Sequence, residues 1–321
     1  MNEQIGVAMV GCGQIAEAHL KGVDAVEGAR LVFAMDVDAE KARSAAERHG
    51  PARWSTDYAE ALADPDVDAV ALCLPHDLHL PFTVQAAEAG KHILVEKPMA
   101  LSEAEAREMV TAADRLGVRL SVGQSTRYMA TYQHARTLLA EGRIGRVINV
   151  LHQRTFWIER LSTDWRRVQS ACGGLYLPLF GSHDVDAILW LLNDRPNRVW
   201  GAIRSFSPVS NGDSDGFIGL EFADGKVGSI AFATRCKQNR AETVLVGSEG
   251  TLTVRRGELF LDDEPVALPE LEAPFVLQMR LFVEALLAGE QPPAPGREVL
   301  RVMRTLDLVR QASERGEVMA F

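Results

Sequence analysis

Short apolar runs alternate with longer stretches of helical periodicity from residue 5 to about residue 122. The runs are IGVAMVG, LVFAMD, DAVALCLP, HILVEKP and RLSVG, and each of the first four is followed by a helical pattern. Runs that are continuously apolar belong to strands buried on both faces, so the alternation predicts a parallel sheet with crossover helices. After Gly123 the texture changes. A helical pattern over 130–141 and the turn-like Gly142-Arg143-Ile144-Gly145 lead into RVINVLHQRTFWI, NRVWGAIRSF, GFIGLEF, KVGSIAFATR, TVLVGSEGTLTV and ELFLDD. Strand after strand without intervening helices predicts an open, mainly antiparallel sheet. ACGGLYLPLFGSHDVDAILWLL, residues 171–192, ends in an apolar run of helical length, and the tail from about Pro274 is helical again, broken at Gln291-Pro292-Pro293-Ala294-Pro295. The chain therefore reads as a first domain over 1–123 and a second over 124–321, with the final helices packing back towards the first.

Composition narrows the partners. At 321 residues and 47% apolar side chains, each part can bury a core of its own. The 44 acidic against 34 basic residues give a net charge of −10, which repels phosphate backbones and anionic membrane surfaces. Neither nucleic acid nor membrane is expected as a partner. MNEQIGVAMVG has no basic region followed by an apolar stretch, and no segment approaches the ~18 uninterrupted apolar residues of a membrane span, so a cytoplasmic protein is expected. Cys12, Cys73, Cys172 and Cys236 are scattered without CxxC spacing, which fits reduced core thiols better than a disulfide or zinc framework.

Gly11-Cys12-Gly13-Gln14-Ile15-Ala16 lies directly after the first strand and opens a helix near Gln14. The first glycine allows the tight turn, the second lets backbone approach a pyrophosphate, and Ala16 lets helix and strand pack closely. Asp36, at the end of the second strand, is placed to accept hydrogen bonds from both hydroxyls of an adenosine ribose, and its charge repels a 2′-phosphate. Gly11, Gly13, Gln14, Ile15 and Asp36 thus predict a site for NAD, preferred over NADP. Asp38 is placed to cap the following helix, AEKARSAAERHG.

Glu96-Lys97-Pro98 ends the strand HILVE, and the C-terminal edge of parallel strands is where open α/β sheets bind ligands. Pro98 biases Lys97 towards an extended conformation. A lysine held there can polarise or protonate a substrate oxygen while hydride moves at the adjacent carbon, although a lysine after a strand is by itself as well read as solvated surface. Leu74, Pro75, His76 and His79 follow the strand DAVALCL. His76 and His79 have metal-pair spacing, but no third and fourth ligand stand nearby in sequence. No metal is expected, and loop contacts to the cofactor, with one histidine capping or packing, fit better.

Together, the GxGxxA turn, Asp36, the Pro-x-x-x-His loop at 75–79, Glu96-Lys97-Pro98, VGQSTRY, EGRIGRV, DWRR and GGLYLPLFGSHDVD resemble the Gfo/Idh/MocA family of glucose-fructose oxidoreductase, inositol dehydrogenase and relatives. The resemblance covers nearly the whole chain. It implies a Rossmann domain, a doubly wound parallel sheet, followed by an α/β domain whose open antiparallel sheet flanks the active site and often forms the dimer face; a homodimer or homotetramer is expected. It implies NAD(P)-dependent hydride transfer at a secondary alcohol of a sugar, inositol or similar polyol. By position, Lys97 and His183 are the catalytic pair. In many members an aspartate stands four residues before that histidine, where this chain has Leu179. With one carboxylate fewer, Lys97 loses a counter-charge, and its proton affinity falls if it is buried. Ser125 stands where the family usually has asparagine, which weakens transfer of the substrate contacts but not of the fold.

Ser182 is placed as an N-cap, with His183 in the first helical turn and Asp184 beside it. The positive helix end would then favour a neutral imidazole able to accept a proton, Asp184 partly opposing it. Arg127, Trp157, Trp165, Arg166 and Tyr176 are candidates for substrate contact, and each is also readable as a packing or rim residue. Leu179 leaves a second enzyme class open: relatives that oxidise a sugar carbon transiently, so that elimination or glycoside hydrolysis can occur, and form no net NADH. A non-catalytic sugar or NAD sensor on the same scaffold is opposed by the presence of both Lys97 and His183.

Overall fold

The apolar runs of the first 122 residues form one parallel sheet in the computed structural model, which describes residues 4–50 and 52–321. Met1 to Glu3, part of the segment read above for a leader, lie outside the described residues. The elements in chain order are β1 (Ile5–Val10), α1 (Ala16–Ala25), β2 (Ala29–Met35), α2 (Ala39–Arg48), β3 (Arg53–Ser55), α3 (Tyr58–Ala63), β4 (Ala69–Leu72), α4 (His79–Glu88), β5 (His92–Val95), α5 (Glu103–Leu116) and β6 (Leu120–Val122). The second stretch comprises α6 (Ala130–Ala140), β7 (Val147–Trp157), α7 (Gln169–Cys172), α8 (Ser182–Leu192), β8 (Pro196–Arg204), β9 (Asp215–Phe222), β10 (Val227–Ala233), β11 (Arg235–Gly247), β12 (Thr251–Arg255), β13 (Glu258–Leu261) and β14 (Glu264–Val266). The tail adds α9 (Pro274–Leu287), α10 (Gly296–Arg315) and β15 (Met319–Ala320). Two units gather from these, one of residues up to Tyr128 with Glu272–Leu300, the other of Met129–Leu271 with Arg301–Phe321.

In the first unit the strand order is β3-β2-β1-β4-β5-β6, with all neighbours parallel. Every residue of β1 and β4 is buried, as central strands covered on both faces require. Because the strands share one direction, Gly11, Asp36, Cys73, Glu96 and Gly123 all lie just beyond the same, C-terminal edge. Local capping follows the sequence: the Asp38 side chain accepts from the amides of Glu40 and Lys41 at the start of α2, and Ser102 caps α5, which ends on Gly117 at φ +71°. Met279, Phe282 and Val283 of α9 join Met9, Leu20 and Leu94 in the core of this unit. Gly22 makes room for α9, since a Cβ there would come within 2.8 Å of the Phe275 carbonyl oxygen.

The second unit is built on a nine-stranded sheet ordered β14-β13-β12-β11-β7-β10-β9-β8-β15. Only β7 and β10 are parallel neighbours; the other pairs are antiparallel. Burial alternates along β7: Val150 and His152 are buried, whereas Leu151 between them is 45% exposed. The buried face carries α8, through Arg154 to Asp184, and the segment just before it, through the ring of Phe156 on that of Phe180. The other face is open and presents Leu151, Phe217 and Val227. Among the described residues, no helix is long and apolar enough to cross a membrane.

Candidate active site

The first unit carries a nucleotide cradle. Gly11 sits at φ +86°, and a Cβ there would come within 2.4 Å of the Cys73 carbonyl oxygen, so only glycine makes this turn. A Cβ at Gly13 would instead meet no heavy atom within 4 Å. The backbone at Gly13 is thus bare towards open space, the surface a pyrophosphate needs. α1 begins at Ala16, two residues later than the sequence reading placed it, and Ile15 offers no side-chain cap to its first amides. The Ala18 amide bonds the Ile15 carbonyl oxygen at 3.1 Å, and no side chain competes with an anion for the amides ahead of it. Asp36 is tied into the same turn: one oxygen accepts from Cys12 N at 2.8 Å, the other from Asp38 N at 2.9 Å. Each oxygen keeps a lone pair, so the carboxylate can still accept two ribose hydroxyls. These features fit a dinucleotide held by Gly11, Gly13, Gln14, Ile15 and Asp36.

Lys97 is the one residue from Ile93 to Ala100 that is not buried. The preceding Glu96 turns its carboxylate inward, to His19 of α1 at 2.7 Å and to Lys97 N at 3.0 Å. Beyond Leu74 and Pro75, His79 is fully buried with Nδ1 2.9 Å from the Pro98 carbonyl oxygen and Nε2 3.1 Å from that of Leu74. A neutral ring can donate to only one of them, and burial lowers its proton affinity while the two carbonyls raise it. His79 thus ties two loops of the edge together. His76 is buried as well, its ring centre 5.7 Å from that of His79. Arg127 lies in the turn Ser125–Tyr128 and is buried, with Nη1 2.9 Å from Glu298 Oε1.

In the second unit, His183 is the one residue from Gly181 to Leu191 that is not buried. The expected N-cap is corrected here. Ser182 has helical backbone angles and its hydroxyl donates to the Pro178 carbonyl oxygen at 2.9 Å, because a π-helical turn, Leu177–Gly181, runs straight into α8. His183 therefore lies more than one turn inside continuous helical backbone, and the argument from an open helix end does not apply to it. Asp213 receives the start of this segment instead. Its side chain accepts from Leu175 N at 3.1 Å and from Leu177 N, and its carbonyl oxygen accepts from Tyr176 N at 2.8 Å.

Asp184, next to His183, faces the interior. Arg154 donates from Nε to both its oxygens, at 2.9 and 2.8 Å, and from Nη2 at 2.5 Å; His152 Nε2 lies 3.3 Å away. Burial alone would favour the neutral acid, but His152 and Arg154 overcome it and hold the carboxyl far below the usual range. Tyr176 also donates to Asp184, at 2.5 Å, and stacks on Phe232 at 3.8 Å. It is fully buried, and burial followed by the Asp184 charge pushes its phenol well up. The structure thus places Tyr176 in the core beneath α8 rather than at a surface. His152 and Tyr132 both reach Thr243, at 2.8 and 3.3 Å, and extend the network.

Leu179, 7% exposed, belongs to an apolar cluster with Cys172 and Leu175, against which Ile158, Leu161, Trp165 and Phe180 pack. Trp165 is stacked beneath Arg166, whose guanidinium carbon is 5.3 Å from the ring centre and which also bonds Ser162. Trp157 sits at the end of β7 with Arg235 4.2 Å over its ring. Sequence reasoning missed His19, Arg154, His152 and Asp213. Nothing local marks them; only the apolar surroundings of a charged residue hint at burial, and each partner lies 30 or more residues away.

The chain is similar to known proteins along most of its length. Residues 5–124 match the oxidoreductase family model GFO_IDH_MocA, described by its NAD-binding Rossmann fold, and residues 132–253 match the GFO/IDH/MocA C-terminal domain. A 1,5-anhydro-D-fructose reductase of Ensifer adhaerens is 30% identical over 96% of each chain. The scyllo-inositol 2-dehydrogenase (NAD(+)) of Bacillus subtilis (strain 168) is 28% identical over 91% of this chain and 89% of its own. Among solved structures, GenD2 from gentamicin A biosynthesis, in complex with NAD, is 28% identical with a TM-score of 0.89, covering 99% of this chain and 97% of its own.

Proposed function

Since the chain belongs to the GFO/IDH/MocA family of NAD-binding oxidoreductases, we propose that it transfers hydride between nicotinamide and a secondary alcohol of a sugar, inositol or similar polyol. One observation carries the reading: in each unit a single side chain suited to proton handling, Lys97 in one and His183 in the other, is the only partly exposed residue of an otherwise buried stretch. Bound NAD supplies the hydride acceptor. His183 takes the proton of the substrate hydroxyl, and Lys97 steadies the charge that develops on the same oxygen. The Arg154–Asp184 pair holds the turn of α8 from which His183 projects, and Glu96 and His79 hold the strand end that carries Lys97. Asp36 favours NAD over NADP, since its carboxylate would face a 2′-phosphate.

Further parts of the reading have their own support. The apolar side chains on the open sheet face favour a homodimer or homotetramer through that face. The four free thiols suit a reducing compartment, in line with a cytoplasmic enzyme. Leu179 favours one alternative, in which oxidation is transient and product forms without net NADH.

A panel of sugars, cyclitols and anhydro sugars, followed both by nicotinamide absorbance and by product analysis with NAD or NADP, tests these readings together. We expect absorbance change with NAD on at least one member, reduced about 10²-fold or more in Lys97→Met and in His183→Asn. Product without absorbance change selects the transient-oxidation alternative. No conversion of any member with either cofactor rejects both.

A further inference from the structure

Lys97 follows a buried carboxylate that has a buried partner of its own. Glu96 is 6% exposed, and its two oxygens face different donors, Oε1 receiving His19 Nε2 at 2.7 Å and Oε2 receiving Lys97 N at 3.0 Å. His19, 1% exposed, presents its ring edge-on to Phe275 at 5.0 Å, and its Nδ1 has no partner among the described residues. The neutral tautomer with its proton on Nε2 donates to Glu96 and leaves no donor unpaired at Nδ1. Room for the carboxylate comes from Gly123, where a Cβ would fall 2.9 Å from Glu96 Oε1.

We infer that His19 and Glu96 set the charge of Lys97: Glu96 is the counter-charge that keeps the ammonium protonated, and His19 is the donor that keeps Glu96 ionised. Both are positioning residues, acting through Lys97. A buried carboxylate without donors takes up a proton, whereas one bonded at both oxygens stays charged. A carboxylate one residue away favours the ammonium.

Several other titratable groups stand on the elements around Glu96. Burial, and then the Glu96 charge, push the Cys73 thiol after β4 well above its ordinary value. Cys12 of the glycine turn is raised to about 12, by burial and then by Asp36. Both thiols are neutral near pH 7. His79 of α4 is pushed towards the neutral form, with His76 packed beside it. Arg127 after β6 is paired with Glu298 of α10. Glu96 thus supplies a negative charge within the unit that carries Lys97.

The inference rests on Lys97 acting at the reacting oxygen, as proposed above, but its test needs no substrate. Acetylation of Lys97 by acetic anhydride from about pH 7 to 11, read by peptide mass spectrometry on cofactor-free protein, gives its titration midpoint. Glu96→Gln should lower the midpoint by about half a unit or more, a ~3-fold rise in labelling near neutral pH. His19→Leu should do the same, and His19→Gln, which retains an N–H donor, should stay near the wild type. Unchanged midpoints in Glu96→Gln and His19→Leu overturn the proposal, as does an equal shift in His19→Gln and His19→Leu, which would assign the effect to packing. If Glu96→Gln does not fold, the two His19 variants decide alone. Lack of turnover on the substrate panel would reject the proposed activity while leaving the labelling result intact.

Discussion

Asp184 and His183 are adjacent in sequence and opposite in situation. The aspartate is fully enclosed by Arg154, His152 and Tyr176, and the histidine alone in its helical stretch reaches partial exposure. Removing one member of a buried pair leaves the other uncompensated, so Asp184→Asn should cost about 3–5 kcal/mol, read from urea unfolding near neutral pH. The pH dependence has a defined sign. The carboxyl of Asp184 is depressed in the folded state, so its contribution is complete above the unfolded value of about 3.9 and is lost as pH falls through the folded value. Asp213 has the opposite sign: burial raises its carboxyl against the Leu175 and Leu177 amides, so the stability it costs at neutral pH is relieved on acidification. Unfolding midpoints of the wild type should therefore fall below about pH 4, and Asp184→Asn should flatten that fall. An equally steep fall in the variant would refute this account of Asp184. The pairing itself is invisible in sequence, where Asp184 reads only as an acid in a first helical turn.

The π-helical turn before α8 changes what its residues do. Ser182, which has the chemistry of a cap, spends its hydroxyl on Pro178, and the capping role passes to Asp213 in a loop. Gly174 allows that approach: it lies at φ +139°, and a Cβ would come 2.1 Å from Asp213 Oδ1. Gly174→Ala should destabilise the protein by about 1–3 kcal/mol and lower turnover through displacement of α8, measured by thermal melting alongside the substrate assay. A variant with wild-type melting would show that the Asp213 contact is dispensable. At this scale the sequence was most informative about α2, whose Asp38 cap is local, and about the buried parallel strands, whose apolar runs are continuous. It was least informative at Leu177–Gly181, because an inserted π turn leaves no mark in apolar spacing.

At the scale of the whole molecule, each unit carries one face or edge that its own core leaves available. In the first it is the C-terminal edge of six parallel strands, where the glycine turn, Asp36 and Lys97 converge by direction alone. In the second it is the open sheet face, on which Leu151 pairs with Ser229 and Val244, and Phe217 with Ala231. If that face joins copies of the chain, Leu151→Arg should shift the protein to a smaller assembly in sedimentation velocity, since a charge would then be buried without a partner. An unchanged sedimentation coefficient would remove this face from the interface.

By itself the sequence determined the α/β class, the succession of parallel and then mainly antiparallel strands, and the tight glycine turn after the first strand. These rest on periodicity, glycine geometry and residue type, which act over a few residues. Tertiary structure alone decided that Asp36 is tied to Cys12, that Tyr176 is core, that Leu179 packs in an apolar cluster, and that Glu96 and Asp184 are held by His19 and Arg154. Such pairings depend on which distant side chains burial brings within hydrogen-bond reach. No local pattern encodes that choice.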